Sequence, residues 1–210
     1  YDLPCPTFND TPRDGSDVLI VRHAEPWQAN VEPLADDGRL QVQTTLAQGR
    51  LFNDGIEPLG ADASTHNVTV NAYYVSNESS FDPSLPSLRR LTLGPNEEFD
   101  DQEVIPGVEN LQVQLGVDTD RDGDVDRYVD GNHPLVDPDA AGFDPDGQVI
   151  AVRIWLLVAT PADDRAWVDE RSYPTPDADL GDLVAGSDDY PSAFRRLQIS
   201  KTIFLNNEGA

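Results

Sequence analysis

Methionine is absent from the 210 residues, cysteine occurs once, and positive charge is scarce. A lone Cys5 excludes any disulfide within the chain, leaving a partner in another segment or a buried thiol. A chain that opens on Tyr1 and holds no methionine does not begin at a translational start, so an upstream segment is expected to have been removed. No apolar run reaches the roughly 18 residues of a membrane span, and no signal-peptide pattern is present. Any targeting or anchoring element would therefore lie upstream. With 14 basic against 39 acidic residues the formal charge is -25, which argues against nucleic acid and anionic membrane surfaces as partners. Enzyme signatures are also missing: there is no G-x-S-x-G elbow, no glycine-rich phosphate cradle and no histidine pair at metal-ligand spacing.

What is present is punctuation. Seventeen prolines and fifteen glycines break the chain into short apolar runs, the pattern of strands joined by loops. Val149 to Val158 reads as a central strand covered on both faces, with Arg153 as its exception. Leu197 to Leu205 alternates as a half-exposed strand. Earlier strands are expected at Asp17 to Val21, Val68 to Val75, Leu88 to Leu93 and Glu109 to Val117, with a short one at Val125 to Val129. Arg39 to Ala47 is the one weak helix candidate. The stretches 130–147 and 160–191 are too rich in Asp, Pro and Gly to promise a core, and loops of that length are usually functional or mobile. The expected fold is mainly β and mostly antiparallel, one domain over 1–210 with acidic insertions at about 118–147 and 160–191. The sequons at Asn67 and Asn77 would accept glycans in a eukaryotic secretory pathway.

The densest chemistry lies in Asp118-Thr119-Asp120-Arg121-Asp122-Gly123-Asp124-Val125-Asp126, with carboxylates on alternate residues. Two carboxylates about 4 Å apart repel by roughly 1 kcal/mol in water and about 4 kcal/mol in a partly shielded site; a bound divalent cation reverses that sign. Asp118, Asp120 and Asp122 take the first, third and fifth places of a calcium loop. Gly123 supplies the turn at the sixth, Asp124 the backbone carbonyl of the seventh, and Asp126 the ninth, often through water. The twelfth place, a bidentate Glu in a helix-loop-helix calcium hand, is Val129. A calcium loop at a hairpin tip, without the hand, is the expectation; a solvated acidic turn is the alternative.

Val18-Leu19-Ile20-Val21-Arg22-His23-Ala24-Glu25 and the later Pro33-Leu34-Ala35-Asp36-Asp37-Gly38-Arg39 resemble the opening of the histidine phosphatases. That chemistry needs several cations and a second acid or base, and only His66 and His133 remain. A further alternative is a secreted calcium-dependent β domain that stacks a glycan on Trp27, Trp155 or Trp167.

A broader likeness runs through Gly15-Ser16-Asp17-Val18-Leu19-Ile20-Val21-Arg22, Val70-Asn71-Ala72-Tyr73-Tyr74-Val75 and Pro86-Ser87-Leu88-Arg89-Arg90. It continues through Ile105 to Asp118, Val152 to Val158, and Phe194-Arg195-Arg196-Leu197-Gln198-Ile199-Ser200-Lys201-Thr202-Ile203. In these segments the chain resembles the PilW type of type IV pilus minor pilins and, more loosely, the J-type pseudopilins. The resemblance implies an α+β pilin head: antiparallel strands packed on a long N-terminal helix that this sequence does not contain. It also implies a non-catalytic subunit that primes assembly at the filament tip, whose partners are other minor pilins, the major pilin and a tip adhesin. Location would be the extracellular pilus, or the periplasmic face of the inner membrane before assembly, with membrane contact only through the missing helix.

Overall fold

The computed structural model describes residues 12–25, 37–60, 62–164 and 166–205; Cys5, Trp27 and Pro33 to Asp36 lie outside them. Among the described residues the chain is strand and loop, with a single 3-10 turn at Pro95–Glu97 and no helix long and apolar enough to cross a membrane. The strands are β1 (Leu19–Ala24), β2 (Asp37–Thr44), β3 (Gly49–Asp54), β4 (Ser64–Ser76), β5 (Ser87–Leu93) and β6 (Phe99–Pro106). They continue as β7 (Val108–Asp118), β8 (Arg127–Val129), β9 (Gln148–Ala159), β10 (Ser172–Tyr173), β11 (Leu183–Val184) and β12 (Arg196–Phe204). The strand pairs β1–β4, β2–β3, β2–β4, β7–β8, β7–β9, β9–β12 and β10–β11 are all antiparallel, so the mainly β expectation is met. One sheet runs β3-β2-β4-β5-β6 with β1 beside β4, a second runs β12-β9-β7-β8, and β10 pairs with β11.

The chain divides into two compact units, one containing Leu19–Tyr73 and Arg89–Val104, the other Pro12–Val18, Tyr74–Leu88 and Ile105–Ala210. In the first, the helix candidate Arg39 to Ala47 is instead strand β2 followed by a turn in which Thr45 Oγ1 accepts the amides of Ala47 and Gln48. Leu40 is buried, and so are the amides Gln41 and Gln43. Gln43 is satisfied at both ends, donating to Gly60 O at 2.9 Å and accepting from Leu59 N–H at 2.6 Å. β6 escapes a hydrophobic reading because it is acidic. Arg89 compensates it, pairing with Asp101 at 2.9 Å and Glu103 at 4.0 Å.

In the second unit β9 is central, as read, but it is not covered on both sides. Ala151, Leu157 and Ala159 are buried, whereas Val152, Ile154, Leu156 and Val158 are only half-buried. Arg153 is no anomaly: its guanidinium lies 3.3 Å from the Tyr128 ring centroid and its Nε donates to Thr202 Oγ1. The edge of β7 beyond short β8 is closed by the segment before β1. Asp17 N–H donates to Leu111 O, Val113 N–H donates to Asp17 Oδ2 at 2.7 Å, and Asn110 and Gln112 both donate to Gly15 O.

The stretch 160–191 corrects the expectation that it holds no core. Tyr173, Leu183, Ala185 and Tyr190 bury together against Leu157 of β9, with Leu180 packed on them. Each fully buried large apolar side chain contributes roughly 1.5–3 kcal/mol. These five residues, Leu180 only partly buried, lie at uneven spacings among Asp, Pro and Gly, so periodicity cannot reveal them.

Candidate metal centre

Strand β7 and strand β8 form the hairpin expected, with Leu115 opposite Val129 and Val117 opposite Arg127. Val129 is buried at 6% exposure: the twelfth loop position belongs to the core, which is why no bidentate Glu stands there. Between the strands, Asp118 is the pivot. Its Oδ1 accepts the amides of Asp120 and Arg121, and its Oδ2 accepts Gly123 N–H at 2.9 Å. Gly123 at φ +90° and Arg121 at φ +64° turn the backbone back on itself. Asp118 itself is 2% exposed, so the first loop position is anchored by three backbone donors.

Asp126 closes the loop from the other side. Its Oδ2 accepts both the backbone N–H and the hydroxyl of Thr119, and these bonds hold its carboxyl below the usual range. Asp118, Asp120 and Asp126 each bring one carboxylate oxygen within 4.8 Å of the others. Asp122 is outside this trio but near enough that its charge is the largest influence raising the Asp120 carboxyl, opposed in part by Asp122's own amide. Asp124 is likewise outside it. Its amide donates to Asp122 Oδ1, and the seventh position of a calcium loop contributes a backbone carbonyl, not a side chain.

A lone-pair count decides what the trio could hold. Each carboxylate oxygen offers two acceptor sites. Oδ1 of Asp118 spends both on amides, leaving one on Oδ2; Oδ2 of Asp120 has no donor among the described residues, and Asp126, whose carboxyl also feels the Asp120 amide, takes both Thr119 bonds on Oδ2. Each of the three carboxylates thus keeps acceptor capacity, and hard oxygen sets suit Ca2+ or Mg2+.

The second charged assembly of this unit was not visible in the sequence. Arg196, side chain fully buried, clamps Glu109 with Nε to Oε2 at 2.6 Å and Nη2 to Oε1 at 2.9 Å. Its Nη1 stands 3.5 Å from buried Asp169, which also accepts from Tyr173 OH at 2.7 Å and Arg171 Nε at 2.8 Å. Arg171, with the Tyr173 hydroxyl and a backbone amide, drives the Asp169 carboxyl far down against the opposing effect of burial. Burial and the adjacent Asp169 push Tyr173 up to about 12. The sequence cue is Arg171 inside the acidic insertion and Arg195-Arg196 just after it.

The remaining motifs find structural employment. Arg22 and His23 sit exposed on β1, opposite Val70 and Thr69 of an antiparallel sheet, a setting unlike the three-layer α/β scaffold of the phosphatases. Glu25 binds Asn67, Thr69 and Arg39, and its backbone carbonyl meets His66 Nδ1 at 3.0 Å. Asn67 also accepts from Gln41, so this sequon asparagine is engaged in the sheet. Trp167 carries the Arg195 guanidinium 4.4 Å from its ring centroid, which occupies one face of the ring.

No curated protein sequence and no solved structure matches this chain. The family model described as Type IV Pilus-assembly protein W matches residues 72–207, a span that begins in β4 and takes in the acidic hairpin, the buried Arg196 clamp and β12. By that match the chain belongs to the PilW family of type IV pilus assembly proteins.

Proposed function

We propose that the chain is the head of a minor pilin, a non-catalytic subunit that primes pilus assembly at the filament tip, and that its β7–β8 hairpin tip binds calcium. The family match over 72–207 supports the first part. So does the fold: the face of β9 carrying Val152, Ile154, Leu156 and Val158 is apolar yet half-exposed, as suits a sheet built to pack on a helix of a pilus subunit. Other minor pilins, the major pilin and a tip adhesin are the partners this reading names, on the extracellular pilus or, before assembly, at the periplasmic face of the inner membrane. Deleting the gene and counting pili per cell, with and without complementation, tests it; unchanged pilus number in the deletion removes it.

The observation that carries the calcium reading is the convergence of Asp118, Asp120 and Asp126 within 4.8 Å. Asp118 through Oδ2, Asp120 and Asp126 would hold the ion, with Asp122 and the Asp124 carbonyl completing the set. Calcium supplies charge neutralisation and order to a loop whose fixing otherwise costs about 1–2 kcal/mol per residue. Without the bidentate Glu, affinity falls in the roughly 0.1–1 mM range of extracellular modules. Titration calorimetry with CaCl2 on the parent and on Asp120→Ala with Asp122→Ala is the test. Binding heat in the parent and none in the double variant is expected; no heat in the parent, or equal heat in both, removes the metal.

A further inference from the structure

We infer that the open edge of β12 is a docking surface for an extended, carboxylate-bearing strand of another pilus subunit. Among the described residues strand β12 stands at the end of its sheet, paired only with β9. Leu205 N–H donates to Ile150 O and Thr160 N–H to Arg195 O. In the register that sets Arg196 opposite Ala159 and Phe204 opposite Ala151, the odd-numbered residues of β12 therefore carry the bonds to β9, and the even-numbered ones point their amides the other way. Arg171 covers the Arg196 carbonyl. Beyond it the Gln198 side chain still donates to Pro174 O, but the backbone groups of Gln198, Ser200 and Thr202 have no partner among the described residues. This is a row of unspent donors and acceptors, the template for strand addition.

The side chains say what kind of strand fits. Leu197 and Ile203 are 62% and 48% exposed, and Ile199 between them is 45% exposed, so an added strand would extend an apolar face. No acidic residue occurs between Asp189 and Glu208, although the chain has 39. Arg195 and Arg196 are neutralised by Asp164 and Glu109. Lys201, the sole lysine of the chain, stays exposed on this face without an ion-pair partner among the described residues. A lysine on an edge strand guards against pairing with its own kind: antiparallel β12 against β12 sets Lys201 near its counterpart, and two copies each carry a charge of -25. The same lysine welcomes a carboxylate. Those two terms together select a different subunit over a second copy.

The surface rests on the pilus-subunit reading, but its test does not need a pilus. The isotope-labelled chain is titrated with the peptide Thr-Val-Thr-Glu-Thr-Val-Thr-Val and with its counterpart carrying Lys for Glu. The expected result is amide shifts centred on Gln198, Ser200 and Thr202, with the glutamate peptide about tenfold tighter than the lysine peptide. Ser200→Pro removes an outward N–H, which an edge strand tolerates, so it should abolish capture while the thermal midpoint holds. Lys201→Glu should reverse the peptide preference, which keeps the test decisive if the proline variant fails to fold. No shifts along β12, equal affinities, or capture surviving in a folded Ser200→Pro overturns the inference. A concentration-dependent dimer that Ser200→Pro dissolves overturns it too, in favour of a second copy. Any of these leaves the pilus count of the gene deletion, and hence the parent reading, untouched.

Discussion

Two acidic insertions of the same unit solve one problem in opposite ways. In the stretch 160–191 the carboxylate of Asp169 is buried, and Arg171 and Arg196 neutralise it from inside the chain. At the β7–β8 tip the carboxylates crowd one another. Beside the loop Arg121 stands 3.9 Å from Asp146 with both side chains largely exposed, and exposed Arg127 reaches Asp126 through its charge alone. An acidic stretch in a sequence is thus ambiguous until its cations are located. Where an arginine is folded in, the charge becomes architecture; where none is, backbone amides position the carboxylates and leave oxygens for an ion.

Removing the internal cation should have the largest effect. Arg196→Met leaves Glu109 and Asp169 buried without their guanidinium, and breaking a buried pair on one side costs about 3–5 kcal/mol. For a chain of this size that lowers the thermal midpoint by roughly 6–20 °C, read by circular dichroism. A drop of under a degree or two would mean that the clamp is incidental to the fold. Arg196→Met with Glu109→Leu should recover part of the loss, since an apolar replacement of the whole pair is often neutral.

The external cation comes next. With affinity in the proposed range, 10 mM CaCl2 should stabilise the parent by about 1.4–2.7 kcal/mol through mass action, and Asp120→Ala with Asp122→Ala should show no such gain. Equal gains in parent and variant would place the ion elsewhere and erase the contrast between the two insertions.

Protons should separate the regions as well. The Asp169 carboxyl is depressed in the fold, so it contributes stability fully present above the unfolded value near 3.9 and lost as pH falls through its lower folded value. The Asp120 carboxyl is raised, chiefly by the charge of Asp122, so protons compete for it at a higher pH. On lowering pH from 7, calcium binding should therefore fade before the clamp loosens. Calorimetric titrations at stepped pH, beside melts at the same values, measure the order of the two events; a fold that fails first reverses the comparison.

Much of this was legible because strands with one apolar face announce themselves. The β7, β9 and β12 runs, the β4 and β5 runs and the hairpin tip lie where alternation and the aspartate spacing put them. What stayed hidden had a polar cause. Strand β2 buries Gln41 and Gln43, whose amides look solvated until their partners are known, and β6 alternates acids that Arg89 compensates from a neighbouring strand. Of the five aspartates read as ligands, the fold gathers Asp118, Asp120 and Asp126. Spacing gives the order of ligands along the loop, but which lone pairs remain free depends on where each amide points.

The smallest effect sits inside the loop and has two signs. Arg121 holds φ +64° and Gly123 φ +90°, a region that costs a residue with Cβ roughly 1–2 kcal/mol and glycine almost nothing. Gly123→Ala meets no atom within 4 Å of the new Cβ, so its cost is backbone strain alone, about 1 kcal/mol, felt directly at the amide that Asp118 Oδ2 accepts. Arg121→Gly relieves the same strain one turn earlier. It forfeits an exposed ion pair worth at most about 1 kcal/mol and adds freedom to the unfolded chain, so the net gain is about 0.5 kcal/mol. Urea midpoints should move down for the first variant and slightly up for the second. Opposite movement follows only if the loop is held in this conformation by its own amides before any ion arrives; a loop that takes shape only around calcium would leave both midpoints unmoved in chelator and separate them only when the ion is added.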